Sequence, residues 1–273
     1  MTFRSGDLVL HGRLRHSGAA APTLVLLSGV GFHTFEYEPL ATELAAAGLN
    51  VLSFDFRGHG RSGGQRGRWT LDELVADTWH AIDHARLRHD GPMFLFGNSL
   101  GAMIAVLTGS RDQRVSGVAA ANCPARIGDF LLTRPRRALF AVAKLIAPLA
   151  PLRISIDHFY SYEQLIDDAS WVSTIRGDPL IADARRLSAR TYRELLETWD
   201  GRQAARELHT PLLVIQGRND NLQPPRQSRL VFEAADGRKR YELVDTGHLP
   251  HLEAPTGLAR LLVEWTSEIG RPP

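Results

Sequence analysis

A serine with a glycine two positions away on either side stands in Gly97-Asn98-Ser99-Leu100-Gly101. The apolar run Pro92-Met93-Phe94-Leu95-Phe96 leads into it, and the helix-like run Ala102-Met103-Ile104-Ala105-Val106-Leu107 leads out. A buried strand that turns at once into a helix leaves no room for side chains at those two flanking positions, so both need glycine. The hydroxyl is then held up at the end of a sheet. The helix behind it aims unpaired N–H groups and its positive dipole end at the same spot. That suits a nucleophile whose attack builds negative charge on an oxygen. The pattern has only three fixed letters, and in isolation an ordinary strand–helix turn accounts for it equally well.

A serine hydroxyl needs a base to take its proton and a third group to orient that base. Asp220 in Gly217-Arg218-Asn219-Asp220-Asn221 and His248 in Thr246-Gly247-His248-Leu249-Pro250-His251 each follow a strand-like run. Taken singly, either reads as turn chemistry. His251 competes with His248, which is preferred because it comes first after its strand and follows a glycine. Asp245 competes with Asp220 but lies too near His248 in the chain to reach the far ring nitrogen. Developing negative charge also needs two backbone donors. One is the N–H of Leu100, next to the serine. The other is assigned to Val30 in Ser28-Gly29-Val30-Gly31-Phe32, where two glycines let the backbone approach a substrate.

The elements that must position these residues alternate regularly. Residues 2–16 read as an antiparallel hairpin around Ser5-Gly6-Asp7. Strands are predicted at Thr23–Leu27, Val51–Phe56, up to Phe96 and at Val115–Ala121, with helices over 37–47 and 70–89. After a break, a strand at Pro211–Gly217, a helix near 225–235, a strand near 239–245 and a final helix near 256–269 resume the rhythm. This is an α/β chain, with a mostly parallel sheet and helices on both faces. Ser99, Asp220 and His248 each follow the carboxyl end of a strand, so they emerge on one edge of that sheet. Between about 124 and 207 no convincing buried strand is read, and helical patterns are interrupted by Pro135, Pro148, Pro151 and Pro179. The expected organisation is a core of 1–123 and 208–273 with an inserted helical cap over 124–207. The apolar, basic stretch from Phe130 to Ile146 reads as a cap helix over the site. A lid that takes acyl chains or touches a lipid surface is its second reading.

Composition narrows the function classes. With 273 residues, 44% of them hydrophobic, the chain can build a large core, and a net charge of +2 is too mild to argue for nucleic acid. The single cysteine, Cys123, excludes an internal disulfide and a thiolate metal cluster and is expected to be an inert buried thiol. The N-terminal Met1–Asp7 lacks an apolar run of signal-peptide length and no stretch approaches a membrane span, so a soluble, cytoplasmic protein is expected. His80 and His84, with Asp83 between them, have metal-like spacing but lie away from the apolar stripe of their helix, so a solvated face is expected. The glycine-rich loops match neither a P-loop nor a dinucleotide fingerprint. No metal and no cofactor are expected.

The chain order Ser…Asp…His, set beside further stretches, carries a resemblance. These stretches are Leu27-Ser28-Gly29-Val30-Gly31 with Tyr37-Glu38-Pro39-Leu40-Ala41, Phe54-Asp55-Phe56-Arg57-Gly58-His59-Gly60-Arg61-Ser62, the serine turn, and Asp178-Pro179-Leu180 with Ser188-Ala189-Arg190. The chain resembles an α/β-hydrolase of the serine aminopeptidase and monoacylglycerol lipase-like (lysophospholipase-like) group, over nearly its whole length. It departs from that group at Ser28, where His is usual, at Asn98, where His is usual, and at Ala102, where Gly is usual. None of these touches Ser99, Asp220, His248 or the two backbone donors. The resemblance implies that the Asp55–His59 loop is structural rather than a second acid–base pair.

Residues and resemblance together predict a serine hydrolase that cleaves carboxylic esters through an acyl-enzyme, acting on a small-molecule ester, acyl-lipids included. Lipid-surface contact is transient at most. The alternatives are an aminopeptidase, in which Glu163, Asp167 and Asp168 would hold the substrate amine, a thioesterase on the same triad, and a non-catalytic ligand-binding protein on the same scaffold.

Overall fold

The computed structural model describes residues 1–133 and 153–270. Eight strands form one sheet: β1 (Thr2–Ser5), β2 (Leu8–Arg15), β3 (Thr23–Leu27), β4 (Asn50–Phe54), β5 (Met93–Asn98), β6 (Val115–Ala121), β9 (Leu212–Gly217) and β10 (Lys239–Val244). Their spatial order is β1-β2-β4-β3-β5-β6-β9-β10. The first two strands make the N-terminal hairpin, and β2 pairs antiparallel with β4. From β4 to β10 every neighbour is parallel.

The central strands are apolar along their length because both sheet faces are covered. In β3 the side chains alternate between two cores. Val25 and Leu27 join the larger cluster with Leu74, Ile82, Met103 and Ile104. Leu24 and Leu26 join the other with Leu40, Leu44, Leu262 and Trp265. Helices α2 (Leu71–Arg86) and α3 (Leu100–Arg111) therefore cover one face, while α1 (Glu38–Ala46) and the C-terminal helix Pro255–Ile269 cover the other. The start of α2 is set by a capping box: Thr70 Oγ1 accepts from the Glu73 amide, and the Glu73 carboxylate accepts from the Thr70 amide.

The stretch between β6 and β9 leaves this sheet. Helical patterns interrupted by prolines, with no convincing buried strand, predict no ribbon here. The described part of the stretch consists of short helices and a two-stranded antiparallel ribbon, β7 (Arg153–Ser155) with β8 (Arg186–Ser188). Three-residue strands with one buried side chain, Leu187, give too little alternation to be read from sequence. Asp178 ends the helix Ala169–Gly177 and caps Pro179–Ala184, while Asp168 and Asp200 each cap the short helix that follows them. Of the Phe130–Ile146 stretch, residues 134–146 lie outside the described residues, as do Pro135, Pro148 and Pro151. No helix among the described residues is long and apolar enough to cross a membrane.

Candidate active site

Ser99 sits at the junction of β5 and α3 with φ 55° and ψ −114°. A non-glycine residue held there stores roughly 1–3 kcal/mol of strain, which the surrounding packing must offset. The turn is as tight as its glycines demand. A Cβ on Gly97 would fall 2.1 Å from the Gly101 carbonyl, and one on Gly101 would fall 1.8 Å from the Leu27 carbonyl oxygen. Both obstacles are backbone and cannot swing away.

Asp220 and His248 come from the loops after β9 and β10. The Asp220 carboxylate is fully buried, and its Oδ2 lies 2.7 Å from His248 Nδ1. Its Oδ1 accepts from the amides of Leu222 (2.9 Å) and Gln223 (2.8 Å). Those two N–H groups hold the carboxylate rigidly and leave one oxygen for the ring. The His248 backbone is held as firmly. Its N–H donates to the Leu165 carbonyl of the insertion (3.0 Å). On either side, the amides of Gly247 and Leu249 donate to Glu253 at 2.8 and 3.2 Å. Burial raises the Glu253 carboxyl above its ordinary range, against the two amides that favour its charge.

Ser99 and His248 open into one cavity, which Val30 and Leu100 also line. Its remaining described walls are almost wholly apolar and include Met103, Ile127, Phe130, Ile156, Phe159 and Leu195. Phe130 and Leu131 reach it from the single helical turn Gly128–Leu131. Such a lining accepts hydrocarbon, with polar groups concentrated at the serine end.

The loop after β3 is clamped by the insertion. The short helix Pro179–Ala184 has Asp178 at its N-terminus and Arg185 at its C-terminus. Asp178 lies 2.8 Å from His33 Nε2. Arg185 is fully buried, and its stem packs so closely on Gly31 (φ +80°) that a Cβ there would meet Arg185 Cγ at 2.2 Å. The guanidinium donates to Asp157 at 2.7 Å and stacks over the Tyr162 ring at 4.8 Å. From below, the Asp55 carboxylate accepts from the amides of Thr34 (2.7 Å) and Arg61 (2.8 Å). His59 gives one ring nitrogen to the Arg57 carbonyl, and complete burial lowers its pKa to about 4. Asp55 and His59 thus support the loop and do not line the cavity.

The competing candidates are placed elsewhere. His251 is fully buried, with Nε2 3.2 Å from Glu36 Oε2, and Asp245 pairs with Arg218 at the surface. Glu163 pairs with Arg176, Asp168 caps the helix Ala169–Gly177, and both are exposed, as is Asp167. None of the three lines the cavity of Ser99 and His248. His80 is exposed and faces Asp83, whereas His84 stacks on Phe3. Among the described residues no group of three metal-ligating side chains converges. Burial raises the Cys123 thiol far above its ordinary pKa.

The sequence does not reveal the roles of Glu253 and Arg185, which look like ordinary surface charges, and it marks Asp178 only through the resemblance. Asn122 was legible only as the polar residue ending the apolar run of β6.

Sheet order, strand–turn–helix geometry at Ser99 and the placement of loops on one sheet edge define an α/β-hydrolase fold. The chain belongs to the serine aminopeptidase S33 family, whose model matches residues 9–253. It is similar to the monoacylglycerol lipase of Mycolicibacterium smegmatis, at 32% identity over 213 residues, covering 77% of this chain and 74% of that protein. Human monoglyceride lipase is 27% identical over 253 residues, covering 88% and 79%. The crystal structure of the Paleococcus ferrophilus monoacylglycerol lipase superposes with a TM-score of 0.75 at 25% identity, covering 95% of this chain and 99% of that one.

Proposed function

We propose that this chain hydrolyses carboxylic esters with an apolar acyl part, with Ser99 as nucleophile, His248 as base and Asp220 as its orienting acid. The observation that carries the reading is the 2.7 Å contact between buried Asp220 and His248, with Ser99 and His248 opening into one apolar cavity. Names of similar proteins, monoacylglycerol lipase and monoglyceride lipase, agree with an ester whose acyl chain is hydrocarbon. Residues 124–207 act as the cap over that cavity.

In this reading, hydrolysis runs in two halves, acylation and deacylation. With its Nδ1 proton facing Asp220, His248 presents a bare Nε2 to the Ser99 hydroxyl and takes its proton as the oxygen attacks the ester carbonyl. The carbonyl oxygen gains negative charge, and the amides of Val30 and Leu100 receive it. Each such donor is worth ~10²–10³ in rate. Protonated His248 then returns its proton to the alcohol oxygen, and the alcohol leaves an acyl group on Ser99. Water enters by the same route, loses a proton to His248 and releases the acid. Asp220 stays ionised throughout and stabilises the imidazolium.

The aminopeptidase alternative is less well supported, because its proposed amine-binding carboxylates point to solvent away from the cavity. The test is turnover of p-nitrophenyl esters of graded chain length together with labelling by a fluorophosphonate. Wild type is expected to turn over and to label, and Ser99→Ala to do neither. An active Ser99→Ala, or a wild type that is inert to the probe, overturns the reading.

A further inference from the structure

The carboxyl end of β6 holds none of the proposed catalytic side chains, yet it lies between the strands that do. Sheet order runs β5, β6, β9, β10, so the Ser99 strand and the Asp220 strand are separated by β6. Neighbouring strands lie about 4.8 Å apart, which puts the ends of β5 and β9 roughly 10 Å apart, beyond a direct hydrogen bond. The residue filling that gap is Asn122, fully buried and held at φ +46°.

Both polar atoms of its side chain are engaged. Nδ2 donates to Asn98 Oδ1 (3.2 Å), one residue before the nucleophile, and to the carbonyl oxygen of His248 (2.9 Å). Oδ1 accepts from the Gly217 amide (2.9 Å), where the loop carrying Asp220 begins. Its own backbone N–H donates to Ile215 in β9, and the Ser99 amide donates to the preceding residue, Ala121. One amide therefore touches the residue before Ser99, His248 itself and the start of the Asp220 loop. Asn122 does not line the cavity and has no route to a substrate.

We propose that Asn122 is a positioning residue that sets the Ser99, Asp220 and His248 loops relative to one another and thereby governs the chemical step, a role that rests on the triad proposed above. The residue type follows from the task. Two donors and an acceptor on one short planar group require a carboxamide, and left-handed backbone favours Asn among non-glycine residues. Gln would be one methylene too long for the gap. Losing the ties leaves the loops free to shift by a fraction of an ångström, and misplacement of about 1 Å at a reacting centre can lower a rate ~10²-fold.

The test uses the full chain with active-site titration by fluorophosphonate, so that rates refer to folded, reactive molecules. Asn122→Gly keeps the left-handed backbone and removes all three ties. It is expected to lower kcat ~10–100-fold with KM within about twofold of wild type, and to slow fluorophosphonate labelling by the same factor. Asn122→Asp keeps the shape and the acceptor for Gly217, but places a carboxylate against the His248 carbonyl. It is expected to lower kcat and to move the acid limb of the kcat–pH profile upward, because nearby negative charge favours the imidazolium. Asn98→Ala removes one tie only and carries the test if the Asn122 variants fail to fold, with a smaller loss expected in kcat alone. Titrated variants with wild-type kcat and an unmoved acid limb overturn the proposal. A wild type that the probe does not label, or a Ser99→Ala that it does, overturns the triad instead.

Discussion

Asp220→Asn tests how strongly the site depends on one oxygen. In the carboxylate, Oδ1 already accepts two amide protons, from Leu222 at 2.9 Å and Gln223 at 2.8 Å. An NH2 group cannot sit opposite two N–H donors, so the new amide must keep its oxygen there. Its NH2 is then forced into the place of Oδ2, 2.7 Å from His248 Nδ1. That nitrogen must now accept, so the ring proton moves to Nε2, the nitrogen proposed to take the Ser99 proton. An imidazole protonated on that side cannot take the serine proton. The wrong tautomer in a site of this kind lowers kcat ~10⁴-fold, about 5 kcal/mol in the barrier. The two backbone bonds survive, so the melting temperature should move by only a few degrees. Initial rates on p-nitrophenyl butyrate give kcat and KM, and a thermal melt of the same sample checks the fold. A loss under tenfold, or one carried by KM alone, would refute the tautomer argument.

Three further outcomes follow from the same contacts. Gly101→Ala should lower unfolding free energy by on the order of 3 kcal/mol or more, because the added Cβ meets the Leu27 carbonyl at 1.8 Å; an unchanged urea midpoint would contradict the turn geometry. His59 is neutral in the fold down to about pH 4, whereas the unfolded chain takes its proton near pH 6.5, so stability should fall by about 3 kcal/mol as pH drops across that window. Urea melts at pH 7, 5.5 and 4 read this, and His59→Phe should flatten that slope; equal slopes would rule His59 out as the cause. Burial works against ionised Asp178, yet hydrogen bonds from His33 and the Leu180 amide hold its carboxyl below the ordinary range. Its contribution is therefore full above the unfolded carboxylate pKa and lost as pH falls through the depressed folded value. The stability gap between wild type and Asp178→Asn should be present at pH 7 and vanish in strong acid; a gap that persists there would contradict the assignment.

Legibility in sequence tracked how local each signal was. The strand into Ser99, its turn and α3 were readable because one continuous segment carries apolar run, glycines and helix. The parallel sheet was readable from the alternation of strands and helices, since strands such as β3 and β9 are mostly apolar and buried throughout. His248 could be preferred over His251 from strand position alone. Their separation in space depends on Glu36, 215 residues away from His251 in the chain, which no local pattern reveals. The insertion was the least legible part. Its described elements are three to nine residues long and are tied to the core by contacts such as Arg185 on Gly31 and Asp178 on His33. Asn122 went unrecognised because its partners come from three strands that only the folded sheet brings side by side.

The bond from the His248 amide to the Leu165 carbonyl reaches further than its 3.0 Å. Through it the insertion supports the backbone of His248, the proposed base. A different segment replacing the proposed cap must then bring a carbonyl to the same point if the His248 backbone is to stay in place. Chimeras in this family should therefore separate into those that preserve that anchor and keep their speed, and those that bind well but react slowly.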